Sequence, residues 1–393
     1  MSDATLIVAR LENSVKRNVK KVTAMKHICT RCGRLSPDGN LWCQEQQCLA
    51  ERKPIIFDAG DNIGDIAITR RLTVLRTAAI YEGMRDGEKI IVKMAHSDRI
   101  SQDKLRHEAK LLAHLQSIRQ HPNFPTLISP YRGANALERP YGKIGFQNET
   151  KYFIVFEYVQ GEFLRDLLRV SPFPWNRFAH WVTRGVSSAV MFMHENQKLH
   201  LNISPDIVYV RMDMDNIPRP ILFDLGLDDA ELQVHARHIV PPAYLAPELL
   251  TMPRANYQTD VYGLGLLIYE MLMGEPAYPF KSRRDEMVWD DVSKGKVVAL
   301  ARNDLPNPEK PEYRDGNTVI MSAIQVNPVM RQPDVAVFAH EMYRLFGDIP
   351  PERKRRFSWA NRRNAAIMGL VLVILIVQLI LISAVFTGNG ATT

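Results

Sequence analysis

All four cysteines of this chain fall in one twenty-residue run, CTRCGRLSPDGNLWCQEQQC, from Cys29 to Cys48. They form two pairs, Cys29/Cys32 and Cys43/Cys48, a spacing that offers four thiolates to a tetrahedral zinc ion. So short a segment cannot bury enough apolar area to fold alone, and a metal site would supply the missing stability. Two disulfides would also tie the segment, but they require an oxidising compartment. The run has no stripe of basic and aromatic residues, which ranks protein contact ahead of nucleic acid.

Other chemistry-bearing residues stand far apart, each inside its own local element. Lys93 lies in the apolar strand-like run IIVKMA, Ile90 to Ala95. Glu108 lies in LRHEAKLLAHL, whose apolar spacing is that of an amphipathic helix. HPNFPTLI follows, then YFIVFEYVQGEFLRDLL from Tyr152 to Leu168, which contains Phe156 and Glu157. Further on come HLNISPDIVYV from His200 to Val210, Asp224-Leu225-Gly226, Ala246-Pro247-Glu248, TDVYGLGLLIYEML from Thr259, and NPVMRQP with Arg331.

The order and spacing of these segments resemble the eukaryotic-like Ser/Thr protein kinase superfamily over residues 66 to 348. The resemblance implies a two-lobed α+β fold, with a β-rich small lobe at 66–157 and a helical large lobe at 158–348. It places Lys93 at the phosphate-anchoring lysine, Glu108 at its ion-pair partner, Phe156 at the gatekeeper and Glu157 at the start of the hinge. Asp224 then stands as the metal-binding aspartate, while Glu248, Asp260 and Arg331 stand as the residues that hold the large lobe together.

The same resemblance shows what has changed. HLNISPDIVYV stands where a kinase reads HRDLKPENILV, so the general-base aspartate is Asn202, the loop lysine is Ser204 and the second metal ligand is Ile207. An amide cannot take the substrate hydroxyl's proton, a loss of roughly 10²–10⁴-fold. An isoleucine cannot coordinate a hard cation. Leu201 replaces the arginine that pairs with an activation-loop phosphate, and no Ser or Thr occurs between Gly226 and Tyr244. The threonine expected before Ala246-Pro247-Glu248 is Pro241. Counted back from Ile80-Tyr81, the three phosphate-loop glycines fall on Thr73, Leu75 and Ala78, whose side chains keep backbone N–H groups away from phosphates. The retained Lys93, Glu108 and Asp224, with Phe156 and Glu157, still imply a site for ATP with one magnesium on Asp224. A purely structural part for them, an ion pair clamping the lobes and an aspartate capping a turn, fits as well.

Residues 365 to 386 run 22 positions without a charge. As a helix they span about 33 Å, enough to cross a bilayer. Six cations lie between Arg353 and Arg363 and account for all but one of the net charge of +7. By the positive-inside bias this basic collar, 349–364, places the preceding chain in the cytoplasm, which favours zinc over disulfides. The collar also suits anionic lipid headgroups. Residues 387–393 are too few for a folded ectodomain.

The expected organisation is therefore a basic N-terminal segment (1–28), a zinc ribbon (29–48), a linker (49–65), the kinase-like domain, the collar, a single-pass anchor and a short tail. The expected function is that of a membrane-anchored pseudokinase, binding a cytoplasmic or membrane protein partner as a scaffold or allosteric module. Two alternatives compete with it: a weakly active atypical Ser/Thr kinase, and a zinc-ribbon interaction module for which the kinase fold is a spacer.

Overall fold

The computed structural model describes residues 55–146, 149–170, 175–214, 217–251, 254–280, 283–300 and 316–346, together with two short strands at 26–28 and 35–36. The four cysteines, the collar, the apolar stretch 365–386 and the tail lie outside the described residues.

Strand β1 (Lys26–Ile28) pairs antiparallel with β2 (Leu35–Ser36) on one side and β3 (Ile55–Ile56) on the other. The sequence between β1 and β2 contains Cys29 and Cys32, and that between β2 and β3 contains Cys43 and Cys48.

The small lobe is an antiparallel sheet. Its strands are β4 (Asn62–Ile63), β5 (Ile66–Val74), β6 (Ala78–Arg85), β7 (Glu88–Ala95), β8 (Leu127–Ile128), β9 (Gly142–Phe146) and β10 (Glu149–Glu157), in the order β4-β5-β6-β7-β10-β8 with β9 also on β10. Period-two alternation decides which residues meet the interior. In β7, Ile90, Val92 and Met94 face an outer cluster with Phe57, Ile63 and Phe153, while Ile91 and Ala95 face the main core. Lys93 shares the parity of Ile91 and Ala95, so the strand aims it inward. Phe57 and Ile63 are buried in the outer cluster, and the lobe therefore begins upstream of residue 66. The strand after HPNFPT is also split. Leu127 pairs with Phe156 and Ile128 with Val155, then the chain leaves the sheet and rejoins β10 at Gly142 opposite Phe153.

Helix α1 (Arg99–Ile118) packs on the inner face of this sheet. Asp98 caps it, accepting a hydrogen bond from Ser101 N at 2.9 Å. Its buried residues are Ser101, Lys104, Leu105, Glu108, Ala109, Leu111, Leu112, Ala113 and Leu115, a helical repeat that contains two charged residues.

In the large lobe, helices α2 (Leu164–Val170) and α3 (Trp175–Glu195) lead to the hairpin β12 (Val208–Met212) and β13 (Pro218–Leu222), with β11 (Glu162–Phe163) on its edge. Short helices α4 (Ala230–Gln233), α5 (Ala236–Ile239) and α6 (Glu248–Thr251) follow, then α7 (Tyr257–Met273), α8 (Asp285–Lys294), α9 (Gly316–Ala323) and α10 (Val335–Phe346). Helix α7 is buried from Thr259 to Leu272, as an all-round apolar helix must be. An added Cβ at Gly263 would lie 2.9 Å from the Ile203 Cβ, so this glycine lets the loop His200–Ile207 sit directly on α7. One core cluster runs from Leu75 and Ile91 in the small lobe through Phe156 to Tyr209 and Phe223 in the large lobe.

Candidate functional site

The loop His200–Ile207 is fixed from below by Asp260, one turn into α7. Its carboxylate accepts from His200 N at 2.9 Å, Leu201 N at 2.7 Å and His194 Nε2 at 2.9 Å. Leu201 is held at φ 63°, a left-handed conformation that a leucine adopts only when its surroundings impose it. That turn delivers Asn202 to the interior, where its amide donates to Asp224 Oδ2 at 2.6 Å.

Asp224, also left-handed at φ 63°, follows β13 and enters the space beneath α1. Gly226 follows at φ 100°, where an added Cβ would come within 3.1 Å of Glu108 N. This close approach brings the Asp224 backbone N–H onto Glu108 Oε1 at 3.1 Å. Lys93 donates to Glu108 Oε2 and to Asp224 Oδ1. The three residues expected to meet do so.

A fourth charged residue joins them that sequence reasoning missed. Lys104, one helical turn before Glu108, donates to Asp224 Oδ1 at 2.6 Å, Leu225 O at 3.1 Å and Asp224 O at 3.3 Å, and lies 3.8 Å from Glu108 Oε2. The only sequence signal for it is its place four residues before Glu108, on the same stripe of α1. None of the four side chains is more than 3% exposed.

Two ammoniums and two carboxylates make this buried quartet formally neutral. Burial lowers Lys104 below the usual lysine range, outweighing its attraction to Asp224. At Lys93 burial acts the same way, but Asp224 and Glu108 together outweigh it and raise the lysine. Burial raises the Glu108 carboxyl against the pull of Lys93 and Lys104. At Asp224 burial would also raise the carboxyl, but the charges of Lys104 and Lys93 prevail and lower it.

Helix α1 is tied to the large lobe a second time. Asp228 takes His107 Nε2 at 2.8 Å and Lys198 Nζ at 2.9 Å on its two oxygens. The hairpin β5–β6, which carries Thr73, Leu75 and Ala78, is tied down as well. Its tip residue Arg76 donates to His238 O at 2.9 Å and to Asp285 Oδ2 at 3.1 Å. His96 holds the same turn, its Nε2 lying 2.9 Å from Leu75 O.

The remaining expected residues take structural places. Phe156 is fully buried and stacks edge-to-face on Phe223 at 5.3 Å, while Glu157 is exposed at the edge of β10. Beside it, Tyr209 donates its hydroxyl toward the carbonyls of Val159 at 3.0 Å and Gly161 at 2.8 Å. Ile207 is buried in the core, and Ser204 is buried with it. Arg331 makes a two-pronged pair with Glu248, both contacts 2.8 Å, and also donates to three backbone carbonyls. A further network, unforeseen from sequence, joins Arg165 to Asp206 at 3.0 Å, to Tyr244 Oη at 2.8 Å and to Glu270. Among the described residues no cluster of three or more His, Cys, Asp or Glu could hold a metal ion, and no helix is long and apolar enough to cross a membrane.

A family model for the protein kinase domain matches residues 76–343. The serine/threonine-protein kinase PknB of Mycobacterium tuberculosis is 25% identical over 246 residues, 62% of this chain and 37% of that protein. An Aurora kinase of Candida glabrata is 22% identical over 236 residues, 59% of this chain and 60% of that kinase. The matched region thus covers less than two-thirds of either relative's length. Among solved structures, a double mutant of the M. tuberculosis PknI kinase domain superposes with a TM-score of 0.51 at 17% identity, covering 74% of this chain and 100% of that one, a likeness of fold.

Proposed function

The chain belongs to the protein kinase family, and within that family we propose that it is a pseudokinase, a protein-binding or allosteric scaffold rather than a phosphoryl-transfer enzyme. The observation that carries this reading is the hydrogen bond from Asn202 to Asp224. At the position of the proton-accepting carboxylate stands an amide that donates, at 2.6 Å, into the carboxylate beside it. Ser204 and Ile207, buried in the same loop, remove the loop cation and an oxygen ligand. The clasp of Arg76 on the large lobe lowers the phosphate-loop hairpin onto the helices below it.

The magnesium implied by family membership does not suit this donor set. A magnesium ion asks for near-octahedral oxygen ligation through one or two carboxylates. Here both oxygens of Asp224 accept from N–H donors, two of them on ammoniums, and the companion ligand position is Ile207. In the loop itself the buried oxygens left without a hydrogen bond are Asn202 Oδ1, a neutral amide carbonyl, and Ser204 Oγ, a neutral hydroxyl.

The test is phosphoryl transfer from labelled ATP to a mixed Ser/Thr protein substrate, comparing the full chain with a Lys93→Met variant. Equal, background incorporation is expected. Incorporation by the wild-type chain above the variant would establish the competing reading, a weakly active atypical kinase, which the intact Lys93–Glu108 pair favours.

The membrane and zinc parts belong to the same proposal. The uncharged stretch 365–386 and the six cations before it support a single-pass anchor with the kinase fold on the cytoplasmic side, its collar against anionic headgroups. Antiparallel pairing of β1 with β2 and β3, on either side of the cysteine pairs, supports a zinc ribbon held by Cys29, Cys32, Cys43 and Cys48. Removing residues 349–393 should move the chain from membrane pellet to supernatant. Purified chain should carry about one zinc, lost in a Cys29→Ser/Cys32→Ser variant.

A further inference from the structure

We propose that the Lys104 ammonium is a resident counter-cation that takes over the electrostatic part of a divalent metal at Asp224, so that the lobes hold their closed arrangement with neither metal nor nucleotide. This rests on reading the domain as one that does not transfer phosphate, and it says how the same site is kept in shape.

The chemistry of Asp224 sets the problem. A carboxylate with at most 3% exposure is costly unless countercharge and hydrogen bonds surround it. Lys93 cannot neutralise two acids, because it donates to Glu108 and Asp224 together. Without Lys104 the set would be one ammonium against two carboxylates, the imbalance that a bound cation corrects in an active kinase. With Lys104 the set balances.

The geometry of Lys104 is that of a dedicated site. An ammonium has three N–H donors, and three oxygens stand within reach: Asp224 Oδ1 at 2.6 Å, Leu225 O at 3.1 Å and Asp224 O at 3.3 Å. Two are backbone carbonyls of the segment that holds Asp224, so the side chain fixes both the charge and the left-handed turn that carries it. The lysine reaches this point from the buried face of α1, where a solvated lysine would have no reason to lie.

Two ties outside the quartet fit the same role. His107 and Lys198 meet on Asp228, and Arg76 joins the hairpin tip to Asp285 and His238 O. Each joins the small lobe to the large lobe through the chain's own side chains. What a partner protein meets is then one fixed surface, independent of the supply of ATP.

The experiment is thermal unfolding of the full chain in detergent, with MgCl2, with ATP, with both, and with neither. Wild type, Lys104→Met, Asp224→Asn and the double variant are compared. Wild type should be unmoved by magnesium, alone or with ATP. Lys104→Met should unfold several degrees lower and recover part of the loss when MgCl2 is added. The double variant, with one lysine against one glutamate, should be more stable than the sum of the single losses predicts, and indifferent to magnesium.

A magnesium-dependent shift in wild type would overturn the proposal. So would additivity of Lys104→Met and Asp224→Asn, or a Lys104→Met chain that magnesium leaves unmoved. Should Lys104→Met fail to fold, recovery of a folded double variant still supports the charge balance, and failure of both contradicts it. Phosphate transfer by the wild-type chain is a different result, which would remove the pseudokinase reading itself.

Discussion

Arg76 and Asp285 are 209 residues apart in sequence, and their side chains meet at 3.1 Å across the mouth of the cleft. The arginine sits at the tip of the hairpin that in kinases lies over the nucleotide phosphates, and the aspartate opens helix α8. A partly exposed ion pair contributes at most about 1 kcal/mol, and the bonds to the carbonyls of Arg237 and His238 add to it. Replacing Arg76 with alanine should therefore free the hairpin while leaving the fold intact. Hydrogen exchange should accelerate in residues 74–78 and 236–240 and stay unchanged in α7.

Gly226 is a place where backbone and packing agree on one residue. At φ 100° it occupies a region that side chains avoid, and an added Cβ would meet the Glu108 N and Cα at 3.1 and 3.2 Å. Those are backbone atoms of α1 and cannot swing aside. Gly226→Ala should cost about 2–3 kcal/mol in denaturant unfolding.

The Arg331–Glu248 pair should behave as a buried pair and not as a surface one. The Arg331 side chain is 0% exposed, and its guanidinium also holds the carbonyls of Gln258, Gln325 and Val326. Removing it leaves Glu248 and three carbonyls without their donor, so Arg331→Ala should cost about 3–5 kcal/mol. Arg331→Lys should recover little, because a point-like ammonium cannot span both carboxylate oxygens and the carbonyls.

Two buried histidines set an acid limit on stability. Burial lowers both His96 and His200 from the usual 6.5 to about 4. Between those values the unfolded chain binds the protons and the folded chain does not. Their contribution is thus complete above pH 6.5 and is lost as the pH falls through about 4, on the order of 3 kcal/mol for each. Urea titrations from pH 7 to 4 should show stability falling as the medium becomes acid. A His96→Gln variant should show a slope shallower by up to one proton.

Much of the site was legible in the sequence because kinase chemistry is carried by short motifs of fixed order. IIVKMA aimed Lys93 by strand alternation, LRHEAKLLAHL placed Glu108 on a helix, and HLNISPDIVYV announced Asn202, Ser204 and Ile207 residue by residue. The structure brings Lys93, Glu108, Asn202 and Asp224 into contact and buries Ser204 and Ile207 beside them. It also moved the start of the small lobe upstream, since Phe57 and Ile63 cover the outer face of its sheet. That segment has too few strand residues to show a period.

The sequence alone determined which chemical groups are present and which are gone, because a substitution inside a motif is local information. Tertiary structure alone decided what fills their places. Lys104 meets Asp224 from 120 residues away, and Arg76 crosses to another lobe to find Asp285. No periodicity or motif encodes such pairings. They arise only where folding carries two charges into one water-poor space, where each must find a partner.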